Sequence, residues 1–414
     1  MHAGFKLATS LSSPRIIVIE DAAIDQLRPI VTARPGYAIS CASFRLIDWL
    51  KSLDLPLQGV VRPHLVELQR LDFGIEAPTS NAGPVLVVNA RVIPATKVVA
   101  TLKKLLTEAR PQAIRTASGT VAAAWLPAIA EVTSLGEAAK DLPASTLSLE
   151  LFDWPHDVVA AHMRLMNEAM QYRIEHGDYV QQQDGVFVRP GATIGQYSVI
   201  DTSKGPIILE DNVTVGPFCY LSGPVYAGAK TRILEHAALK DGVATGHTTK
   251  IGGEVEASSI EPYTNKQHHG FLGHSYLGSW INLGAGTCNS DLKNTYGNIN
   301  MEYQNEKVAT TMQFMGCVMG DYSKSAINTG IFTGKVVGVC SMLYGFVTTN
   351  VPSFVTYARL FGQTSMLPVD VMISTQARMF ARRKVEQREC DRQLIFDMFD
   401  LTEDERNSQN QMGL

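Results

Sequence analysis

Three histidines stand close together past the middle of the chain, at His268, His269 and His274. An imidazole gains or loses its proton near neutral pH, so histidine is the side chain best suited to remove a proton from an attacking nucleophile. Imidazoles also bind metal ions, and a histidine in an exposed loop can have no chemical role at all. The residues around the cluster therefore have to distinguish these three cases.

The histidines lie in a region with a six-residue period. Leu277-Gly278 and Leu283-Gly284 are six residues apart, and related pairs recur between Val188 and Leu343. This period is typical of a parallel β-helix, in which the aliphatic side chain points inward and the small residue after it allows a tight turn. About 165 residues at three hexapeptides per coil make roughly nine coils at most, and loops are expected to leave about seven.

Three interruptions of the period are expected to be loops. They are residues 204–206, 261–270 and 290–313. Loops that interrupt a solenoid on one side commonly carry its binding site. The second interruption contains His268 and His269, so we expect the site there.

The chain on either side of the repeats has different patterns. Short apolar runs such as Ile16–Ile19 alternate with amphipathic segments such as residues 43–50, which indicates a small α/β domain. A helix is predicted to begin at Trp154-Pro155 and to end at Gly177. After the repeats, Pro368–Phe399 is predicted to be helical and to cover the open edge of the last coil.

The composition is typical of a cytoplasmic protein. The chain has 414 residues, of which 45% are hydrophobic and 18% charged, with a net charge of −4. No basic excess favours a nucleic-acid partner, and no run of about eighteen apolar residues predicts a membrane span. The six cysteines form no CxxC pair, so free thiols in a reducing compartment are expected. Residues 1–13 lack the continuous apolar segment of a secretion signal.

The sequence from Asn265 to Asn289 resembles the acetyltransferase half of the bacterial bifunctional enzyme that makes UDP-N-acetylglucosamine. In that family a histidine is followed by Leu-Gly, by Asn-(Ile/Leu)-Gly-Ala-Gly-Thr and by Cys-Asn. The corresponding residues here are His268, Leu272-Gly273, residues 282–287 and Cys288-Asn289. The chain departs from the family within this segment, since two residues are missing before Cys288 and Phe271 replaces a tyrosine.

The whole chain is similar to a GlmU-related family. The shared blocks are residues 250–255, 265–273, 289–294 and, in the first half, 20–21, 27–29 and 32–35. This resemblance implies a nucleotidyltransferase-like α/β domain over residues 1–152, a connecting helix over 153–182, a left-handed β-helix acyltransferase domain of hexapeptide repeats over 183–352, and a C-terminal helical extension and tail over 353–414. It also implies a homotrimer, in which wall residues such as Trp280 are covered by a neighbouring subunit.

The resemblance further implies an N-acyltransferase that uses acetyl-CoA and acts on a sugar phosphate or a nucleotide sugar. His268 would be the general base, and Asn289 would orient the acceptor or the base. The backbone N–H groups of Gly284, Ala285 and Gly286 would bind the negative oxygen that forms on the thioester carbon.

The phosphates of the acceptor and of CoA need cations. The candidates near the histidines in sequence are Lys250, Lys266, Lys293 and Arg232. The phosphate-binding lysine of the related enzymes falls near Lys293 but not at it. The acceptor can therefore differ from glucosamine 1-phosphate.

Two other functions stay open. His269 and His274 have the five-residue spacing of two zinc ligands in β-helical carbonic anhydrases, and His236 or His247 would be the third ligand. The flanking sequence fits the transferase better, and no metal site is predicted. A non-catalytic scaffold that binds a nucleotide sugar is the other alternative, and its binding would survive His268→Ala.

The first half is expected to have little or no pyrophosphorylase activity. In sugar-nucleotide enzymes a glycine-rich turn after the first strand holds the phosphates with its backbone N–H groups. Here Ile16–Ile19 runs into residues 20–23, which contain two carboxylates and no glycine. Two carboxylates repel a phosphate. Arg28, Arg34 and Arg45 are the alternative phosphate ligands, and Mg²⁺ would be the cofactor of an active first half.

Overall fold

The structure, a computed structural model, describes residues 14–78, 83–128, 139–304, 306–358 and 363–411. The expectation about a secretion signal concerns residues 1–13, which lie outside this set. Within these ranges, no helix combines the length and the apolar character that crossing a membrane requires.

A mixed five-stranded sheet forms the centre of the N-terminal part. Its strands are β1 (Arg15–Ile19), β2 (Leu57–Val60), β3 (Val85–Asn89), β4 (Gln112–Arg115) and β5 (Val121–Leu126). The order is β2-β1-β3-β5-β4, with β1 parallel to β2 and β3 and with β5 antiparallel to β3 and β4. Every residue of β3 is buried, as expected of a strand covered on both faces.

Helices cover this sheet. The α-helices are α1 (Leu46–Lys51), α2 (Val66–Phe73), α3 (Lys97–Glu108) and α4 (Pro155–His176), and short 3₁₀-helices span Ala22–Leu27, Gly36–Ala38 and Pro63–Leu65. The helix predicted over residues 43–50 begins later, because Ala42 and Ser43 have φ values of 49° and 72° and cannot continue a right-handed helix. Helix α4 begins at Pro155 and ends before Gly177, as predicted.

Parallel strands then wind into a three-sided solenoid. The first face contains Val186–Val188, Ile207–Leu209, Val225–Ala227, Val243–Thr245, Ser259–Ile260, Tyr276–Leu277, Cys317–Met319 and Lys335–Val337, preceded by the antiparallel Val180–Gln183. The second face contains Thr193–Ile194, Thr214–Val215, Arg232–Ile233, Lys250–Ile251, Asn265–Lys266, Asn282–Leu283, Lys324–Ser325, Met342–Leu343 and Val355–Ala358, followed by the antiparallel Gln363–Met366.

The third face is split into two sheets. The first sheet contains Val199–Asp201, Tyr220–Ser222, Ala238–Lys240, Glu254–Glu256 and Phe271–Gly273, and the second contains Cys288–Asn289, Gly330–Ile331 and Phe346–Val347. Aliphatic side chains from all three faces fill the interior, among them Val215, Ile233 and Ile251. Each such buried side chain contributes about 1.5–3 kcal/mol, which explains why the hexapeptide period predicts the fold.

The solenoid has more coils than the seven expected. Its second face has ten strands, and only the last is antiparallel. The estimate was too low because residues 261–270 are not a loop. Asn265 pairs in register with Lys250 and Asn282, so Lys266 takes the inward place that Ile251 takes in the adjacent coil. The aliphatic period is broken there although the coil continues.

The other two interruptions do leave the regular coil. Residues 202–206 connect a strand of the third face to one of the first face. The longer interruption, 290–313, contains an antiparallel hairpin of Asn300–Tyr303 and Glu306–Ala309.

Other parts of the chain cover two of the three faces. Ile208, Ala244 and Tyr276 of the first face belong to the same apolar core as the N-terminal sheet. On the second face pack the C-terminal helices α5 (Val369–Arg382) and α6 (Glu389–Leu401). The last helix, α7 (Glu403–Gln411), follows them, and its Glu405 accepts a hydrogen bond from the N–H of Ser353. The single helical segment predicted over Pro368–Phe399 is therefore two helices with a break after Arg382, and it packs on a face of the solenoid.

Trp280 does not need a second subunit to cover it. Its ring lies between Tyr263 at 4.2 Å and Phe380 of α5 at 4.4 Å, and only 9% of the residue is exposed. The expectation that a neighbouring subunit covers Trp280 was wrong, because a helix from the end of the same chain does so.

Candidate functional site

The His268–His269 turn joins the second face to the third. Both imidazoles are exposed. The side-chain amide nitrogen of Gln267 lies 3.0 Å from Nε2 of His268 and, because an amide nitrogen can only donate, Nε2 accepts this hydrogen bond. The carbonyl of His268 accepts a hydrogen bond from Nζ of Lys266 at 2.8 Å, which holds the main chain of the turn in place.

The 284–286 turn of the following coil packs against this histidine turn. The N–H of Gly286 donates to the carbonyl of His269 at 3.0 Å, and that of Gly284 donates to the carbonyl of Ser325 at 3.1 Å. Gly286 has a φ of 75°, and a Cβ there would clash with Oδ1 of Asn328 and lie 3.3 Å from Nε2 of His269, so this turn requires glycine. Of the three amides predicted to bind an oxyanion, only that of Ala285 lacks a partner within the described ranges.

Asn289 points into the solenoid and not toward a substrate. Its Oδ1 accepts from the N–H of Gly273 at 2.8 Å, and its Nδ2 donates to the Gly273 carbonyl at 3.0 Å and to Oγ of Ser275 at 3.2 Å. These bonds replace the strand pairing that is missing where the third face is split. The predicted role of Asn289 in orienting the acceptor is therefore corrected to one of holding the strand that carries Cys288.

His274 lies at the other end of the strand Phe271–Gly273 and is buried. Its Nδ1 is 2.8 Å from Oδ2 of Asp291, and its ring stacks on Phe314 at 5.1 Å. Sequence reasoning missed Asp291, although it follows His274 by seventeen residues, which is about one coil. A spacing of about one coil brings two polar residues to the same corner of a solenoid. It was the signal in the sequence from which the pairing could have been predicted.

The histidines do not gather into a metal site. His269 and His274 are at opposite ends of one strand, while His236 stacks on Phe218 at 5.5 Å and His247 lies 5.0 Å from Tyr263. Among the described residues, no group of three or more His, Cys, Asp or Glu side chains could hold a metal ion. The zinc-type spacing in the sequence therefore does not correspond to a zinc-type arrangement in space.

One of the four predicted cations lines a cleft of about 410 Å³ between the second face and the end of α5, and a second lies on the adjacent strand. Lys250 lines the cleft, and Arg232 is its register partner on the adjacent strand. Three cations that sequence reasoning missed line it as well, namely Lys324, Arg382 and Arg383. The signal for Lys324 was its register, because it occupies the same outward row as Lys250.

The positive charges of this cleft disfavour one another. Burial lowers the pKa of Lys250, and the neighbouring Arg383, Arg232 and Arg382 lower it further. Burial also lowers the pKa of Arg383, with Arg382 adding to the effect. For Lys324, burial brings the pKa to about 8. A bound anion would relieve this repulsion.

The other two predicted cations are used elsewhere. Lys266 is 2% exposed, and its ammonium donates to the carbonyls of Gly252, His268 and Gly270 at 2.7–2.8 Å. Burial lowers the pKa of Lys266 to about 8. Lys293 donates to the carbonyl of Asn298 at 2.6 Å, within the 290–313 interruption. Lys266 thus supports the histidine turn, and Lys293 does not line the cleft.

At the carboxyl end of β1, where a sugar-nucleotide enzyme is expected to hold its phosphates, both carboxylates form ion pairs. Glu20 bonds to Nε of Arg62 at 3.0 Å and to the N–H of Gly36 at 2.9 Å. Asp21 bonds to Nη2 of Arg91 at 2.8 Å. Burial raises the pKa of Asp21, but Arg91 more than offsets this and leaves it below its usual value. The expected repulsion by two bare carboxylates is corrected accordingly, because both are paired.

The three arginines considered as alternative phosphate ligands are also paired. Arg28 bonds to Asp25 at 3.0 Å and Arg45 bonds to Asp48 at 2.8 Å. Arg34 is buried between two carboxylates of the solenoid. None of the three is therefore available as a free cation in the described part of the chain.

Residues 16–175 match the sequence model of a family described as sugar nucleotidyl transferase. The bifunctional protein GlmU of Ralstonia pickettii (strain 12J) is 29% identical over 150 residues, which cover 30% of this chain and 33% of that protein. GlmU of Thermotoga petrophila is 27% identical over 149 residues, which cover 36% of this chain and 26% of that protein. The chain thus matches between a quarter and a third of the length of these curated relatives.

The architecture of the chain is GlmU-like. A sugar nucleotidyl transferase-type α/β domain precedes a parallel β-helix of hexapeptide repeats, and helices follow it. Among solved structures, the UDP-N-acetylglucosamine acyltransferase of Francisella novicida is 15% identical, with a TM-score of 0.23 over 48% of this chain and 74% of that chain. The description of the fold rests on the strand pairing above.

Proposed function

We propose that the chain is an N-acyltransferase that transfers an acetyl group from acetyl-CoA to the amine of a sugar phosphate or a nucleotide sugar. The observation that carries the proposal is the exposed imidazole of His268 beside a turn with the unpartnered N–H of Ala285. Acyl transfer needs a base for the amine and a donor for the carbonyl oxygen, and these two groups supply them.

In the proposed reaction, Nε2 of His268 takes a proton from the sugar amine while the amine nitrogen forms a bond to the thioester carbon. Negative charge develops on the carbonyl oxygen, and the N–H of Ala285 stabilises it. The carbon–sulfur bond then breaks, and the imidazolium returns its proton to the departing thiolate. The test is release of free thiol from acetyl-CoA in the presence of a panel of amino-sugar phosphates and nucleotide amino sugars.

The third face is proposed as the contact between copies of the chain. Its outward apolar residues are well exposed: Val199 is 59%, Tyr220 38%, Phe332 49% and Phe346 53% exposed. Apolar residues repeated along one flat wall are typical of an interface. His268 and the exposed Cys288 lie at the same wall, so a neighbouring subunit would complete the site.

The protein is expected to be a homotrimer in solution. Light scattering at micromolar concentration should give three times the chain mass, because each subunit presents one uncovered face that a closed ring can bury. Phe346→Glu places a charge in that face and should give a monomer. Phe396→Glu is the matched control, since Phe396 is exposed on α6 away from the third face, and it should leave the trimer intact. A monomeric wild-type protein would contradict the trimer.

A second activity, sugar-1-phosphate nucleotidyl transfer, is favoured by the family match of residues 16–175. We nevertheless expect little or no pyrophosphate release when the full-length protein is incubated with UTP or dTTP, Mg²⁺ and a panel of sugar 1-phosphates. The reason is that Arg62 and Arg91 are paired with Glu20 and Asp21 where backbone N–H groups would have to meet a phosphate.

Acetyl transfer by the same preparation serves as the control for that assay. Robust pyrophosphate release would show the first half to be active and the protein to be bifunctional. Acetyl transfer without pyrophosphate release would indicate that the first half is a binding or scaffold domain.

A further inference from the structure

The cleft beside α5 has the size and the charge of a site for an anionic ligand. Its volume of about 410 Å³ lies within the range of small-molecule sites. Lys250, Lys324, Arg382 and Arg383 line it, and no carboxylate does in the described ranges. Lys250 and Arg382 also form no ion pair within those ranges. Four like charges without a counter-ion repel one another unless an anion binds between them.

The walls of the cleft are held rigidly. Trp280 is stacked between Tyr263 of the solenoid and Phe380 of α5, which fastens the helix to the second face. Arg383 donates a hydrogen bond to Oδ1 of Asn265, so its guanidinium is fixed at the opening. A site whose cations are positioned before binding loses less entropy when a ligand arrives.

The cleft is continuous with the histidine turn. Gln267 lines the cleft, and its side-chain amide is bonded to Nε2 of His268 at 3.0 Å. Asn265 and His268 are three residues apart along one strand and the turn that follows it, which span at most about 10 Å. A ligand with phosphates in the cleft can therefore place its other end at His268.

We propose that this cleft binds the pyrophosphate group of a nucleotide ligand whose reactive end lies at His268. Guanidinium and ammonium groups bind phosphate oxygens with charge-assisted hydrogen bonds, and two arginines beside two lysines match the several negative charges of a pyrophosphate. The ligand's reactive end rests on the function proposed above, whereas anion binding in the cleft does not. CoA and a nucleotide sugar both carry the required pyrophosphate.

The test is a calorimetric titration of the full-length protein with each of three ligands, namely sodium pyrophosphate, CoA and UDP-N-acetylglucosamine. Lys250→Gln and Arg382→Gln should each weaken binding about tenfold, and the double variant about a hundredfold, because each removes one cation that contacts phosphate. Arg378→Gln is the matched control on the same helix, since Arg378 is exposed and does not line the cleft, and it should bind as the wild type does.

Tighter binding of CoA than of UDP-N-acetylglucosamine would assign the cleft to the acyl donor, and the reverse would assign it to the acceptor. Wild-type affinity for all three probes in the double variant, or no binding of any probe by the wild type, would overturn the proposal. His268→Ala should retain binding. If the protein shows no acyl transfer but binds pyrophosphate in a way that depends on Lys250 and Arg382, the proposed function is refuted and anion binding in the cleft is supported.

Discussion

Replacing His268 with alanine is expected to lower the turnover number for acyl transfer by about 10²–10⁴-fold, the usual effect of losing a general base. The imidazole is exposed, and within the described part of the chain its one side-chain hydrogen bond is to the amide of Gln267. Its removal should therefore leave the coil and the free energy of unfolding nearly unchanged. The measurement is thiol release from acetyl-CoA at saturating acceptor, together with the thermal unfolding midpoint of both proteins.

His269→Ala is the natural control for that experiment. His269 is exposed in the same turn, but its imidazole lies over Gly286 and not beside the cleft. Its loss should lower turnover much less. Equal turnover of His268→Ala and the wild type would remove His268 from the mechanism. A wild-type protein that binds a nucleotide sugar but transfers no acyl group would instead support the scaffold alternative.

Replacing Arg34 with methionine is expected to lower the free energy of unfolding by about 3–5 kcal/mol, because it leaves two buried carboxylates without their cation. Nη1 of Arg34 lies 2.9 Å from Oε2 of Glu261, and Nη2 contacts Asp321. All three side chains are at most 10% exposed. The pairing joins the N-terminal part to the solenoid, so its loss should loosen the contact between them. Urea unfolding of wild type and variant measures the difference.

Arg28→Met is the control, since Arg28 pairs with the half-exposed Asp25 at 3.0 Å and a surface pair contributes about 0–1 kcal/mol. A loss in Arg34→Met no larger than that of Arg28→Met would contradict the prediction. It would mean that water or another side chain reaches the carboxylates once the guanidinium is gone.

The effect of Arg34→Met should depend on pH. Burial raises the pKa of Asp321 above its ordinary value, although Arg34 opposes the shift. The folded state therefore binds a proton more readily than the unfolded chain, so this group makes the protein less stable as pH rises from the unfolded pKa to the folded one. Without Arg34, the pKa of Asp321 in the folded protein rises further. The pH range over which this carboxyl lowers the stability therefore extends to higher pH. The difference in the free energy of unfolding between wild type and variant should thus be smallest at low pH and should grow as the pH rises; a difference independent of pH would argue against this prediction.

The sequence determined the fold to a large extent, because the patterns that specify it are local. The six-residue recurrence of aliphatic residues required a parallel β-helix, since each repeat buries its own inward side chain against the next coil. The Pro at the start of α4 and the Gly after its end bounded that helix correctly. The histidine turn could also be located from the sequence. It precedes the motif of residues 282–289, and the order of motifs along the chain does not depend on packing.

The side-chain directions at the site were set by the tertiary structure. Lys266 and Asn289 were predicted to meet substrate, yet both occupy inward positions where neighbouring coils have Ile251 and Ile331. A polar residue at an inward position looks, in the sequence, like an interruption of the repeat. Whether it turns outward or stays inside depends on whether carbonyls or amides of adjacent coils lie within reach, and those belong to residues about one coil away.

The pairing of charges was decided only by packing over long sequence separations. Arg34 meets Glu261 and Asp321 more than two hundred residues later, which turned a candidate phosphate ligand into a buried structural contact. Arg382 and Arg383 reach Lys250 because α5 folds back onto the second face. Coulombic attraction and desolvation act on distance in space, and a sequence pattern records distance only along the chain.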